Sequence, residues 1–180
     1  VDRKGVEKMT DFVITLLNTL IKIDNINDII NQIKNADKYF EINVNNISAT
    51  DDIYYLEELS YKGRIFIATN LSTKKAYEIL NKYNVDAFIT RVISAEDVKV
   101  FTNNIKFFEH LYKITNVKRG TYFITANELS IEAARLTGFR VIYLSREGKK
   151  GNIRSLKEVV EVNSKQYIDG KISDSALRCS

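Results

Sequence analysis

The sequence predicts an α/β fold, with a central parallel sheet flanked by helices. Two patterns carry that expectation. Short, nearly continuous apolar runs recur along the chain, the pattern of strands buried on both faces of a parallel sheet. Between them lie segments whose apolar residues repeat at helical spacing, and strand–helix alternation of this kind builds a parallel sheet covered by helices. The 180 residues are 44% hydrophobic, enough for one substantial core in a single domain.

The first run lies within Phe12 to Leu20, where Val13, Ile14, Leu16, Leu17 and Leu20 give a near-continuous apolar run with the pattern of a buried strand, followed by Asn18-Thr19 as a polar turn. Lys22 to Thr50 has no strand counterpart. Ile26, Ile29, Ile30 and Ile33 repeat there at helical spacing, behind Asn27 or Asp28 as N-cap, so residues 22–50 read as a small helical insert. A helix around Ile53 to Leu59 leads to the second strand, Arg64-Ile-Phe-Ile-Ala, which closes on Thr69-Asn70 and is followed by a helix from Thr73 to Tyr83. A third strand at Val92 passes through a short loop into a helix carrying Phe107 and Phe108. Tyr122 starts the fourth strand, a helix ends near Gly138, and Val141 to Leu144 forms the fifth. The core is then about 11–21 and 51–162, and 163–180 is a C-terminal extension in which Lys165 to Ser180 either adds a helix or stays flexible.

Composition excludes several classes. The one cysteine, Cys179, supports neither a disulfide framework nor a thiolate metal cluster, and a reducing cytoplasm is the default location. No apolar run approaches the ~18–20 residues of a membrane helix, and the basic start Val1-Asp-Arg-Lys-Gly lacks the apolar core of a signal peptide. A net charge of +4 is too small to argue nucleic-acid binding, and no aromatic–basic module accompanies it. The chain has no proline.

Taken in order, four segments resemble the four motifs of the haloacid dehalogenase-like (HAD) hydrolase superfamily. In Phe12 to Leu20, Thr19 and Leu20 match the first motif, while Thr15 and Leu17 stand where the family has its nucleophilic and acid/base aspartates. Arg64 to Ser72 resembles the second motif, with Thr69 ending the strand. Val92 to Phe108 follows the third, with Thr102 at the lysine position and Asn103 at a proline. Tyr122 to Leu144 tracks the fourth: Ala133, Ala134, Arg135 and Gly138 match, whereas Thr125, Ala126 and Ser130 replace a glycine and two aspartates. The resemblance covers roughly Asp11 to Val162 and is strong at scaffold positions and weak where chemistry sits. It implies a Rossmann-like HAD core with a very small cap at 22–50. In the family, a small cap accompanies an open site, a large substrate or a partner chain acting as lid.

The losses bear on mechanism. HAD phosphatases attack phosphorus with one carboxylate and protonate the leaving group with another. The Thr15 hydroxyl is far too basic to ionise without an adjacent base, and Leu17 transfers no proton. Mg²⁺ prefers several hard oxygen ligands, chiefly carboxylates, and Thr15, Ala126 and Ser130 supply no charge. The expected function is therefore that of a HAD-like pseudoenzyme without catalysis or metal, binding either a phosphate-like anion or a protein partner. The alternative is a Mg²⁺-dependent phosphohydrolase with relocated carboxylates, for instance Glu128, Asp97 or Asp24.

Anion-binding candidates follow from position. Thr19 belongs to a possible nest of backbone N–H groups at Leu17 to Thr19, and Thr69 and Asn70 close the second strand. Lys99 lies three residues before the vacated lysine position. Arg146, Lys149 and Lys150 belong to a basic glycine-containing loop, Arg146 to Arg154, at the carboxyl end of a strand, where open parallel sheets border their ligand crevices. For each lysine the plain alternative is a solvated surface residue, and for Thr69 a turn residue. His110 reads as a packed or surface histidine. The adjacent aromatic pairs Tyr54-Tyr55, Phe107-Phe108 and Tyr122-Phe123 suggest a second covered surface, in a homo-oligomer or against a protein partner, although a strand buried on both faces explains Tyr122-Phe123 equally well.

Overall fold

The computed structural model describes residues 9–148 and 150–162. Lys149, Cys179 and the extension 163–180 lie outside the described residues, as does most of the N-terminal segment. Five parallel strands form the sheet: β1 (Phe12–Thr15), β4 (Ile65–Thr69), β5 (Arg91–Ser94), β6 (Tyr122–Thr125) and β7 (Arg140–Tyr143). A two-stranded ribbon pairs β2 (Ile21–Lys22) with β3 (Ser48–Ala49). The main sheet runs β5–β4–β1–β6–β7, so the chain builds outward on one side of β1 and then returns to build on the other. In such a sheet the crevice at the carboxyl ends of the central strands is the site-forming position.

Every residue of β1, β4 and β6 is buried, which explains why these strands appear in the sequence as continuous apolar runs rather than alternating ones. Ile14 is the centre of the register, opposite Ile67 on one side and Ile124 on the other. The helices are α1 (Ile26–Lys34), α2 (Tyr55–Lys62), α3 (Thr73–Lys82), α4 (Ile105–Thr115), α5 (Ile131–Leu136) and α6 (Leu156–Glu161). Ser72, Asn104 and Ser155 cap α3, α4 and α6 by accepting backbone N–H bonds, satisfying donors that the helix leaves open.

The first strand is shorter than its apolar run. β1 stops at Thr15, and Leu16 to Leu20 folds back in a tight turn in which the N–H groups of Leu20 and Ile21 both donate to Leu16 O, at 2.9 and 3.1 Å. Asn18 adopts φ 66°, a left-handed conformation that asparagine tolerates better than most residues. Leu16, Leu17 and Leu20 remain buried in the turn, so an apolar pattern that signals burial does not by itself signal a strand. The N-cap of α1 also differs: Asn25, not Asn27 or Asp28, holds the cap position. The Asn25 side chain makes no cap bond and instead ties down the returning chain, donating to Asn43 O and accepting from Asn45 N, each at 3.0 Å.

Residues 35–47 pass back from α1 to β3 as a strap. It docks on the core where Tyr39 N donates to Lys99 O at 2.8 Å and where the rings of Tyr39 and Phe40 stand 5.5 and 5.0 Å from Phe101. Across the sheet, Phe108 packs edge-on against Phe123 at 5.2 Å, and both meet Phe139. Phe107 and Phe108 both fall on the buried face of α4, and Tyr122 and Phe123 lie in β6, which is buried on both faces. These pairs therefore offer no second surface; of the three adjacent pairs, only Tyr54-Tyr55 reaches solvent substantially, with Tyr54 59% exposed. Among the described residues no helix is long and apolar enough to cross a membrane. Phe123→Ala removes the ring shared by the α4 and β7 sides of the core and is expected to cost about 3–5 kcal/mol in urea unfolding; a loss below ~1 kcal/mol would show that this cluster is not a packed core.

Candidate functional site

Positions from all four motif-like segments meet at the carboxyl edge of the sheet. Thr15, Thr69 and Thr102 line one cavity together with Asn70 and Asn127, and Ser130 is joined to it through Thr102. Each occupies the end of a strand or the loop beyond it, so the strand order fixes their convergence.

The groups that converge are neutral and bonded to one another. Thr15 Oγ1 lies 2.5 Å from Thr19 Oγ1 and 2.8 Å from Thr125 Oγ1, and all three residues are buried. Thr19 Oγ1 accepts from Ala126 N, and Thr125 Oγ1 accepts from Asn127 N, each at 2.9 Å. The Asn127 amide donates to Leu17 O at 2.9 Å, so the turn after β1 is stitched to the turn after β6. A second network lies beside it. Asn70 donates to Thr102 Oγ1 at 3.1 Å and accepts from Thr102 N at 2.9 Å, while Thr102 Oγ1 and Ser130 Oγ are 2.6 Å apart. Thr69 Oγ1 accepts from Leu71 N at 3.1 Å, closing its own strand end.

The roof is apolar. Ile26, Ile29, Ile30 and Ile33 of α1 face this floor, with Leu16, Leu17, Ala68 and Leu129 completing the wall. What remains between roof and floor is about 20 Å³ for the centre of a water-sized molecule, room for roughly one water. A phosphoryl group does not fit in that space. The four isoleucines, which signal a helix in the sequence, fill the place above Thr15, Thr69 and Thr102.

The residues present do not fit Mg²⁺. No carboxylate lines the cavity, Thr15 and Ser130 already share their hydroxyls with neighbours, and among the described residues no group of three or more His, Cys, Asp or Glu is placed to hold a metal ion. The three carboxylates considered for relocated chemistry each have another engagement. Asp24 Oδ2 accepts from Asn46 at 2.6 Å, and Asp97 stands 3.7 Å from His110 Nε2. Glu128 accepts from the Tyr143 hydroxyl at 2.9 Å, and burial together with this carboxylate pushes the Tyr143 phenol up to about 12.

Two of the cationic candidates, Lys99 and Arg146, also have partners. Lys99 does not line the cavity; it adopts φ 59° and holds its ammonium over the Tyr39 ring, 5.6 Å from the centroid. Arg146 donates to Thr19 O at 2.6 Å and Asp52 Oδ1 at 2.7 Å, with a longer bond of 3.4 Å to Asn18 O. Lys150 is exposed and borders neither cavity. The proposed nest at Leu17 to Thr19 is partly consumed, since Asn18 N donates to Ile21 O at 2.7 Å. Arg146 instead borders a separate open polar cleft of about 660 Å³, with Asn18, Lys22, Asp24, Asn46 and Tyr143 among its walls.

Asp52 is a residue that motif reading misses. It is buried and receives three bonds, from Leu156 N at 3.0 Å, Arg146 at 2.7 Å and Thr50 Oγ1 at 2.8 Å. Through them it joins the start of α6 to the turn after β1. Burial pushes its carboxyl up, but the Leu156 N–H, the Arg146 guanidinium and the Thr50 hydroxyl together outweigh burial and hold it below its ordinary value. A depressed folded-state value means that the stabilisation is complete above the unfolded value of about 3.9 and is lost as pH falls through the lower folded value. Asp52→Asn is expected to cost about 1.5–3 kcal/mol at pH 7 and to lessen the acid-side decline in stability below about pH 4. Urea titrations from pH 3 to 7 read both effects, and an unchanged profile would remove the clasp from the account.

Comparison with known proteins gives the fold a name. No family model and no curated protein matches the chain by sequence. Among solved structures, L-2-haloacid dehalogenase from Xanthobacter autotrophicus superposes with a TM-score of 0.64 at 13% identity, over 91% of this chain and 87% of that one. A HAD-superfamily hydrolase from Ehrlichia chaffeensis superposes at 0.58 and 13% identity, over 78% and 90%. A hydrolase from Streptococcus pneumoniae TIGR4 does so at 0.56 and 16%, over 77% and 94%. The sheet order, the convergence of the four strand-end segments and these superpositions make one statement: the chain has the haloacid dehalogenase-like fold.

Proposed function

We propose that this HAD-like protein is a pseudoenzyme that works by binding a protein partner rather than by turnover. The observation that carries the reading is the Thr15 cavity, where the positions expected to hold an attacking and a protonating carboxylate carry a buried hydroxyl and a leucine side chain beneath four isoleucines. A group that attacks phosphorus needs a lone pair made available by a base. Thr15 Oγ1 has two hydroxyl neighbours and, among the described residues, no base in contact.

Between the two binding modes, the geometry speaks against an anion at this pocket, which leaves a protein partner elsewhere on the surface as the reading. An anion here would need positive charge or free N–H donors, and Arg146 is paired with Asp52 while Lys99 rests on Tyr39. The isoleucine roof also makes transfer of an anion into the cavity costly. The relocated-phosphohydrolase alternative has no comparable support, because Glu128, Asp97 and Asp24 each lie outside the cavity wall.

A screen of phosphomonoesters with Mg²⁺ at neutral pH is expected to give no release of phosphate above the buffer blank. Clear turnover that disappears in Glu128→Ala or Asp97→Ala would overturn the pseudoenzyme reading and restore a catalytic one.

A further inference from the structure

The two edges of the sheet use their cations differently. At the carboxyl edge Arg146 is paired with Asp52. At the amino edge, where the strands begin, Arg91 opens β5, Arg140 opens β7, and Lys118 and Arg119 lie in the loop that enters β6. All four are exposed, and among the described residues none is in an ion pair. The end of α4 joins them into one face. Arg91 Nη1 donates to Ile114 O at 3.4 Å, the Arg119 guanidinium lies over the Tyr112 ring at 5.2 Å, and Arg119 Nη1 donates to Thr137 O at 2.8 Å. Gly120 N donates to Gly138 O at 2.8 Å, with the two glycines at φ 88° and 95°. A methyl group added at Gly120 would meet Arg140 Nε at 3.6 Å, so the Arg140 side chain lies beside that turn. These contacts run from one outer strand of the sheet to the other, a width of about 19 Å.

Fold stability does not account for all of this charge. A helix C-terminus attracts a cation through its dipole, and Lys113 and Arg135 meet that need in the last turns of α4 and α5. Lys118, Arg119 and Arg140 stand outside both helices. Carboxylates do not interleave with them: Asp86, in the loop before β5, lies in a turn packed against α2 and α3, and Glu109 lies a full turn back along α4 from Lys113. The helices α2 and α3 cover the other face of the sheet, because the crossovers to β4 and β5 run opposite to those to β6 and β7. Leu136, 72% exposed at the end of α5, sits next to Arg135 as an apolar residue among these cations.

We propose that this amino-edge face docks an acidic segment of a partner protein, with Leu136 receiving an apolar residue of that segment. The proposal rests on the reading of the chain as a binding protein and gives its partner a chemistry. Arginine around an apolar residue is the composition of a protein interface. Single-stranded nucleic acid is held by stacking on exposed rings, whereas the exposed Tyr54, Tyr61 and Tyr77 belong to α2 and α3 and the Tyr112 ring lies under Arg119. The bonds to Ile114 O and Thr137 O hold Arg91 and Arg119 in place before binding, which lowers the ordering cost of association.

Fluorescence anisotropy of a labelled polyglutamate peptide carrying one central leucine tests the face, at about 0.15 M ionic strength, where charges beyond ~8 Å are screened. Saturable binding is expected, and Arg91→Glu combined with Lys118→Glu and Arg140→Glu is expected to weaken it by about tenfold or more, since like charges then face each other. The same three positions changed to Gln give the same direction with a smaller loss, and serve if charge reversal perturbs the fold. Lys74→Glu with Lys106→Glu and Lys150→Glu makes the same change of net charge elsewhere and is expected to leave binding nearly unchanged. Leu136→Ser is expected to weaken the leucine peptide but not one with serine in its place. The proposal is overturned by absence of saturable binding, by equal weakening from the two charge-reversal triples, by a leucine peptide indifferent to Leu136→Ser, or by tighter binding of a labelled DNA strand or duplex that the first triple abolishes. Peptide binding and phosphate release are separate readouts, so failure here leaves the absence of turnover standing, and turnover in the phosphatase screen leaves this face standing.

Discussion

The hydroxyl of Thr15 ends the central strand and faces two other hydroxyls, those of Thr19 in the turn it begins and Thr125 at the end of β6. This contact holds the turn after β1 against the turn after β6, and everything at the carboxyl edge is placed with respect to it. Asn127 reaches Leu17 O because the two turns are this close, and Arg146 reaches Thr19 O from β7's exit loop for the same reason. Each neutral bond contributes only about 0.5–1.5 kcal/mol net. Their value lies in satisfying buried polar groups that would otherwise cost more if left without partners.

Neutrality and closure depend on each other. Carboxylates gathered at the ends of β1 and β6 would repel one another and would need a cation or water to remain ionised. Beneath the isoleucines of α1 the remaining space takes about one water and leaves no room for a hydrated cation. Conversely, a floor of paired threonines and asparagines tolerates an apolar roof, because its polar atoms, the buried Asn127 Oδ1 excepted, bond among themselves. Neutral strand ends and the seating of α1 are thus mutually permissive, and Arg146 is paired with Asp52, which also accepts from the first residue of α6.

The sheet was legible because its central strands are buried on both faces, so Val13-Ile14, Ile65 to Ala68 and Tyr122 to Ile124 stand out as apolar runs. The convergence of Thr15, Thr69, Thr102 and Ser130 was legible through the order of the motif-like segments. What periodicity did not reveal depends on long-range pairing. Leu16 and Leu17 read as strand, ahead of the Asn18-Thr19 turn, because burial in a turn and burial in a sheet leave the same apolar trace. Nothing in the neighbourhood of Asp52 announces Arg146, which lies far along the chain, and the isoleucine spacing of α1 predicts a helix but not the surface it covers. Lys99 lies where the sequence suggests a ligand-binding lysine; its side chain faces Tyr39 because the strap crosses above it.

The central claim is that the carboxyl edge holds a closed, uncharged site. Backbone amide NMR during titration with inorganic phosphate and Mg²⁺ tests it at the residues themselves. The account predicts no saturable shifts at Thr15, Thr69, Asn70 and Ala126. Saturable shifts confined to those amides would contradict it, since they would place an anion where the structure puts isoleucine side chains.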